Sequence, residues 1–230
     1  MGEVLVNEVS AKISNVEVKC TEIYHKIKNI YERDINNKRI IEGKFTDETI
    51  EYLKDNMWEF TEKIDGTNIR IIWDGYKVYF AGRTEKSQIP VELGNRLFDL
   101  FGGEKNEQIF EQKFGSTPII LYGEGYGKGI QNGGLYSETQ EFILFDVKIN
   151  GNWQERKNVG VIAEYFGINA VPVVLKGTLE DGVNFIKEKP ISQITKQKYI
   201  MEGIVGRPIK ELRDRNSNRV IVKIKVCDFE

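Results

Sequence analysis

The chain has 230 residues, 40% hydrophobic and 30% charged, with a formal net charge of −2. That composition is ordinary for a soluble globular protein with a real core, and the near-neutral charge excludes one that coats nucleic acid by bulk charge. It leaves room for a local basic groove, because Arg207 to Lys225 holds seven basic residues against Glu211 and Asp214, a net +5, and the remainder is −7.

The N-terminal "MGEVLVNEVSAK" lacks a basic region followed by an apolar core, and Val6 stands where a myristoylation signal needs Ser or Thr. No apolar run is long enough to span a bilayer. Neither secretion nor membrane insertion is therefore expected. Cys20 and Cys227 fit neither a disulfide framework nor a CxxC knuckle, which points to a reducing, cytoplasmic setting. The single histidine, His25, excludes an HExxH zinc site and reads as structural or surface, in the helix-like stretch "IYHKIKNIYE".

Next in chain order, "NIRIIWDGYKVYFAGR" alternates in character around Asp74-Gly75, a pair suited to the positive-φ positions of a tight hairpin turn. Apolar residues at helical spacing in "PVELGNRLFDLFGG" predict a helix, and "TPIILYGE" a strand. A second hairpin is expected in "EFILFDVKINGNW", around Asn150-Gly151, then a helix in "ERKNVGVIAEYFGI". "AVPVVLK" reads as a strand, "LEDGVNFIKEK" as a helix, and "YIMEGIVGR" and "RVIVKIKVCDF" as strands. No repeat or linker divides the chain. The expectation is one α+β domain with largely antiparallel sheets; strands are neither regularly interleaved with helices nor followed by GxGxxG or Walker loops, which weighs against Rossmann and P-loop folds.

The strand ends carry the chemistry. Lys63, Asp65 and Asn68 flank the first hairpin and Arg83 ends it, with Glu62 and Arg70 as their solvated neighbours; Glu124 lies in "LYGEGYG", Phe145 and Asp146 in "FILFDV", and Glu202 in "MEGIV". Lys223 and Lys225, two apart on a strand, share a face, and two cations on one face suit a phosphate. Singly, each has a structural alternative: a turn, a solvated glutamate, a core phenylalanine, one wet face of a sheet.

Taken in order, the chain resembles the covalent nucleotidyltransferases, and among them the ATP-dependent RNA ligases of the RNA ligase 2-like branch. "EKIDGTN" is similar to motif I, "LYGEGYG" to motif III, "FILFDV" to motif IIIa, "MEGIVGRP" to motif IV and "VKIK" to motif V. The resemblance runs from about Lys44 to Phe229, with 1–43 as an N-terminal segment, and implies a nucleotidyltransferase domain of two largely antiparallel sheets flanked by helices. Asn68 after "KIDGT" is typical of the RNA ligase branch, where DNA ligases and capping enzymes usually have Arg.

The resemblance implies that Lys63 attacks the α-phosphate of ATP, expels pyrophosphate and forms lysyl-AMP. That amine must first lose its proton, which the cations of Lys223 and Lys225 and a bound metal favour while they stabilise the phosphoryl transition state. Glu202 would help hold Mg²⁺ or Mn²⁺. Phe145 would stack on adenine, Glu124 and Arg83 would contact the ribose, and Asn68 would lie near the α-phosphate or the RNA 3′ end. Glu62 joins the implied ATP-binding set and Asp65 the catalytic one; Gln131, Asp146 and Arg215 match positions implied to touch RNA or phosphate.

The expected partners are RNA ends bearing a 5′-phosphate and a 3′-OH, in RNA repair. The chain ends five residues after Lys225, without the OB domain of DNA ligases and capping enzymes. This weighs against both and leaves open a protein partner or a missing C-terminal domain for holding RNA. The competing readings are a DNA ligase or capping-type enzyme, and a non-catalytic nucleic-acid-binding module.

Overall fold

The computed structural model describes residues 22–84, 86–195 and 197–230. Cys20 and the N-terminal stretch weighed as a targeting signal lie outside the described residues. In chain order the elements are β1 (Lys28–Asn29), β2 (Tyr31–Arg33), β3 (Ile40–Phe45), α1 (Glu48–Tyr52), β4 (Trp58–Lys63), β5 (Thr67–Trp73), β6 (Val78–Gly82), α2 (Val91–Phe101) and α3 (Gly103–Phe114). They continue with β7 (Ile119–Tyr126), β8 (Glu141–Ile149), β9 (Asn152–Trp153), α4 (Arg156–Tyr165), β10 (Asn169–Ala170), β11 (Val173–Gly177), α5 (Leu179–Lys187), β12 (Gly203–Pro208) and β13 (Val222–Lys225).

The chain gathers into two compact units. Among the described residues, unit one comprises 22–24 and Asp65–Ala170, and unit two His25–Ile64 and Val171–Glu230. Unit one is built on the sheet β10-β8-β7-β5-β6, with β9 paired to β8. Its contacts are antiparallel except β10 with β8. Alternate residues of β5 and β7, Ile69, Ile71, Trp73, Ile119 and Leu121, enter a core closed by Leu93, Leu97 and Phe101 of α2, Phe110 of α3 and Val159 and Ile162 of α4. Unit two carries the sheet β1-β13-β12-β4-β11 and the separate pair β2-β3. Phe60, Ile204, Val222 and Ile224 face Leu179, Val183 and Ile186 of α5. That helix begins with a reciprocal capping box between Thr178 and Asp181.

The α+β class and the two largely antiparallel sheets agree with the sequence. Four local readings change. The helix-like stretch at 23–32 is extended, because β1 adds to the edge of β13 and strand pairing overrides helical spacing. "AVPVVLK" is two strands broken at Pro172, which has no N–H for a ladder. At the first hairpin only Gly75 has positive φ, while Asp74 accepts from the N–H groups of Tyr76 and Lys77 at 2.8 Å each; the Asn150-Gly151 turn has both residues positive, as expected. Finally, α3 was not foreseen, since its sequence is mostly polar and among its residues only Phe110 is fully buried.

Candidate active site

In unit two the register places Lys63 of β4 beside Gly203 of β12, and Gly203 beside Lys225 of β13. Two lysines thus flank a residue with no side chain. A Cβ on Gly203 would lie 2.2 Å from the Ile224 carbonyl oxygen, so only glycine lets β12 approach β13 this closely. The preceding residue, Glu202, uses both carboxylate oxygens: Lys63 Nζ donates to Oε2 at 2.5 Å and Lys225 Nζ pairs with Oε1 at 2.5 Å. Lys223, two residues before Lys225 and alternating with buried Val222 and Ile224, shares the face of Lys225.

The electrostatics divide the two β13 lysines. Burial lowers the pKa of Lys223, and the charges of Lys225, Lys63 and Lys26 lower it further against the opposing pull of Glu202. Burial also opposes the charge on Lys225, but the hydrogen bond and charge of Glu202 more than offset it, and its pKa is raised. One carboxylate therefore serves two cations and leaves a third electrostatically unsatisfied. This arrangement suits an incoming phosphate.

Glu62 and Arg70, expected as solvated neighbours, are each 2% exposed. On β4 the parity that turns Lys63 outward turns Glu62 toward the face of Phe60 and Ile204, where it accepts from the Gln193 N–H at 2.9 Å. Burial raises its pKa, with Ser192 and Gln193 opposing. Arg70 Nε donates to the Gly82 carbonyl at 3.0 Å. The basic strip is likewise not one surface, because Arg207 and Arg219 are buried and Arg219 is held by both oxygens of Glu211 at 2.5 and 3.0 Å. Arg215 is exposed in the turn organised by Asp214.

In unit one, Asn68 of β5 pairs with Glu124 of β7 on the sheet face opposite the core, and the Oδ1 of Asn68 is buried without a hydrogen-bond partner among the described residues. Phe145 is the extra residue of a β-bulge: Tyr122 opposes Asp146 and Gly123 opposes Leu144, so Phe145 has no cross-strand partner. Phe145 alternates with Leu144 onto the face opposite the core and stands edge-on to Tyr24 at 5.0 Å, and the bulge resets the alternation so that Asp146, which would otherwise follow Phe142 and Leu144 into the core row, shares that opposite face. Asp146, 1% exposed, accepts from the Tyr24 hydroxyl at 3.0 Å. Asp65 accepts from Asn132 Nδ2 at 2.7 Å, which ties motif I to the loop carrying exposed Gln131 with φ of 46°. Gly66 sits where a Cβ would lie 2.3 Å from the Gly125 carbonyl oxygen, so the "DG" of motif I is required by close approach to β7. Arg83 is exposed just past β6.

The structure thus brings Lys63, Glu202, Lys223 and Lys225 together in unit two, and Asn68, Glu124, Phe145 and Asp146 onto one sheet face of unit one. Sequence reasoning missed Tyr24, Lys26 and Asn132. The first two were hidden by the helix-like reading, and no local pattern marks Asn132 as the partner of Asp65. Among the described residues no three His, Cys, Asp or Glu side chains cluster as a metal cage. The Glu202 carboxylate fits Mg²⁺ or Mn²⁺ as one ligand of an ion whose shell is completed by substrate phosphates and water.

A family profile described as RNA ligase matches residues 56–225, and the chain belongs to the RNA ligase family. No curated protein matches. Similar solved structures are of Naegleria gruberi RNA ligase. One substitution mutant with ATP and Mn is 17% identical at a TM-score of 0.61, covering 90% of this chain and 56% of that one. A second mutant, with AMP and Mn, is 19% identical at 0.59, covering 91% and 61%. The enzyme with PPi is 19% identical at 0.58, covering 91% and 63%. At these identities the likeness shows the shared nucleotidyltransferase fold, and the chain spans 53–63% of the solved chains named or close to them. Among the described residues no helix is long and apolar enough to cross a membrane.

Proposed function

We propose that the chain is an ATP-dependent RNA ligase that joins 5′-phosphate and 3′-OH RNA ends through lysyl-AMP and RNA-adenylate. The observation that carries this reading is the bridge from Lys63 through Glu202 to Lys225, which gathers a nucleophile, a carboxylate and cations from motifs I, IV and V. Glu202 Oε2 lies within proton-transfer distance of Lys63 Nζ and receives its proton. The free amine then attacks the α-phosphorus of ATP, a P–N bond forms, the α–β phosphoanhydride bond breaks, and pyrophosphate leaves. Lys223 and Lys225 hold the phosphoryl oxygens as charge builds. When bound, Mg²⁺ or Mn²⁺ supplies further charge neutralisation beside Glu202.

In the second step an oxygen of the RNA 5′-phosphate attacks the AMP phosphorus, a P–O bond replaces the P–N bond and the lysine nitrogen takes back its proton; in the third, the 3′-OH attacks the RNA 5′-phosphorus, gives its proton to solvent, and AMP leaves. Following the family resemblance, Phe145 stacks on adenine, Glu124 and Arg83 contact the ribose, and Asn68 serves the α-phosphate or the RNA 3′ end. The unpaired buried oxygen of Asn68 and the bulge at Phe145 support those roles. Glu62 faces away from Lys63 on β4 and acts as a positioning residue through the Ser192-Gln193 segment. Asp65 anchors the loop of Gln131, and Asp146 positions Tyr24 beside Phe145. Arg215 and Gln131 contact RNA. Residues 1–230 act as one adenylyltransferase module in RNA repair in the cytoplasm.

The test is incubation with labelled ATP and Mg²⁺, denaturing electrophoresis, and a chase with 5′-phosphorylated RNA. Covalent label that moves to RNA is expected; labelling by GTP and not ATP would overturn the reading in favour of a capping-type enzyme.

A further inference from the structure

A cavity of about 280 Å³ opens in unit two, with Lys26 and Lys28 of the β1 segment on one side and Thr49 and Ile50 of α1 and Val220 and Ile221, which precede β13, on the others. We infer that this cavity receives one nucleotide of the RNA strand outside the reacting end, with its phosphate on Lys26 and its sugar and base on Ile50, Val220 and Ile221. This rests on the RNA ligase reading and adds to it a site for holding the strand.

Size, chemistry and position each support the assignment. The volume lies just below the usual range for small-molecule pockets and fits a single nucleoside rather than a larger ligand. Ile50, Val220 and Ile221 offer an apolar floor for a ribose and a base face. The carboxylates at the rim are turned to local partners. Asp47 accepts from Lys28 Nζ at 2.6 Å and from the Thr49 N–H at 2.9 Å, and Asp214 accepts from the N–H groups of Asn216 and Asn218 at 2.8 Å each. Neither is presented to the hydrogen-bonding edge of a base, so the cavity takes a nucleotide without choosing its sequence. Lys26 is exposed, and among the described residues it has no ion pair of its own. Position then links the cavity to the chemistry: β1 lies parallel to β13 with Asn29 opposite Lys223, and the charge of Lys26 is felt at Lys223. Lys28 pairs with Val222, on the face opposite Lys223 and Lys225, so a strand whose terminal phosphate meets those two lysines reaches the cavity by crossing the sheet edge at β1.

The experiment measures binding of a short 5′-phosphorylated RNA oligonucleotide by the full chain across a series of salt concentrations. The variants are Lys26→Glu, which reverses an exposed charge without threatening the fold, and Thr49→Trp, which plugs the cavity. Each is expected to weaken binding about tenfold, the scale of one lost nucleotide contact, and Lys26→Glu to flatten the dependence of log affinity on log salt by about 0.7 or more. Thermal unfolding checks the plugged variant, and Asn218→Trp, at an exposed rim position, replaces it if Thr49→Trp does not fold. Wild-type affinity in a folded plugged variant overturns the cavity as a site, even where Lys26→Glu binds weakly, because the loss then belongs to the general field. Wild-type protein that neither labels with ATP nor binds the oligonucleotide sinks the ligase reading itself, which separates the two failures.

Discussion

Lys63 Nζ and Glu202 Oε2 lie 2.5 Å apart although 139 positions separate the residues in sequence. Pairing of β4 with β12 sets this contact, and the missing side chain at Gly203 brings the second oxygen of Glu202 to Lys225. The carboxylate is the counter-charge of Lys63 and Lys225 and a hydrogen-bonded proton acceptor for the proposed nucleophile.

Glu202→Gln keeps the shape and removes the charge. Adenylylation measured in a single turnover is expected to fall by about a hundredfold or more, the scale of losing an electrostatic group in the transition state. Stability should change by only about 1 kcal/mol, because the lysines it pairs are partly exposed. An adenylylation rate near wild type would remove Glu202 from the proposed chemistry.

Lys63→Ala is expected to abolish transfer of label from ATP to protein while the far-ultraviolet circular dichroism stays that of wild type. The proposed mechanism consumes the Lys63 amine and alanine offers none, while a partly exposed lysine contributes little to stability. The same variant should still seal pre-adenylated RNA, since the last step does not use the lysine as nucleophile. A covalent AMP adduct on another lysine would contradict the assignment.

Glu62 supplies a pH test of the buried face of β4. Its folded-state pKa is raised above the ordinary 4.5, chiefly by burial. Above 4.5 the native state therefore holds more protons than the unfolded state. The stability this contributes is complete below 4.5 and is lost as pH rises through the folded value. Glu62→Gln does not titrate, so thermal midpoints of the two proteins should diverge in favour of the variant as pH rises through that window. Parallel midpoints across the window would show that the carboxyl is not desolvated.

The alternation of Val222, Lys223, Ile224 and Lys225 was legible because a strand has period two, and both lysines fall on the predicted face. Asn150-Gly151 was legible because its turn is a local matter of φ. Charge suggested solvent for Glu62 and Arg70, but parity on β4 puts Glu62 on the face of Phe60, and Arg70, on the face of β5 opposite Ile69 and Ile71, is buried there with its Nε donating to the Gly82 carbonyl. What the sequence did not show depends on pairing between distant segments. Asp146 leaves the row of Phe142 and Leu144 because β8 carries one residue more than β7 at that point, and Lys26 comes near Lys223 because β1 joins the edge of β13. Asn132 meets Asp65 across 67 positions, with no periodic signal in between.

Lys223 and Lys225 test whether the basic row serves phosphate or merely faces solvent. If both neutralise phosphoryl oxygens during attack by Lys63, each alanine substitution should cost about 3 kcal/mol of transition-state stabilisation, or roughly a hundredfold in single-turnover adenylylation at saturating ATP. Arginine should rescue poorly, because a planar guanidinium does not fit the place of a compact ammonium. Lys210, exposed and outside the motif, is the control, and its alanine variant should mainly weaken RNA affinity and its salt dependence. The two motif lysines should also differ in pH response. Burial and the charges of Lys225, Lys63 and Lys26 lower the pKa of Lys223, so on raising pH it is the first to lose its charge, while Lys225, supported by Glu202, keeps its own beyond the ordinary 10.5. The descending limb of the pH–rate profile should therefore fall below 10.5 in wild type and disappear from that position in Lys223→Ala. Near-wild-type rates for both alanine variants, with no change in that limb, would return the two lysines to an ordinary wet sheet face.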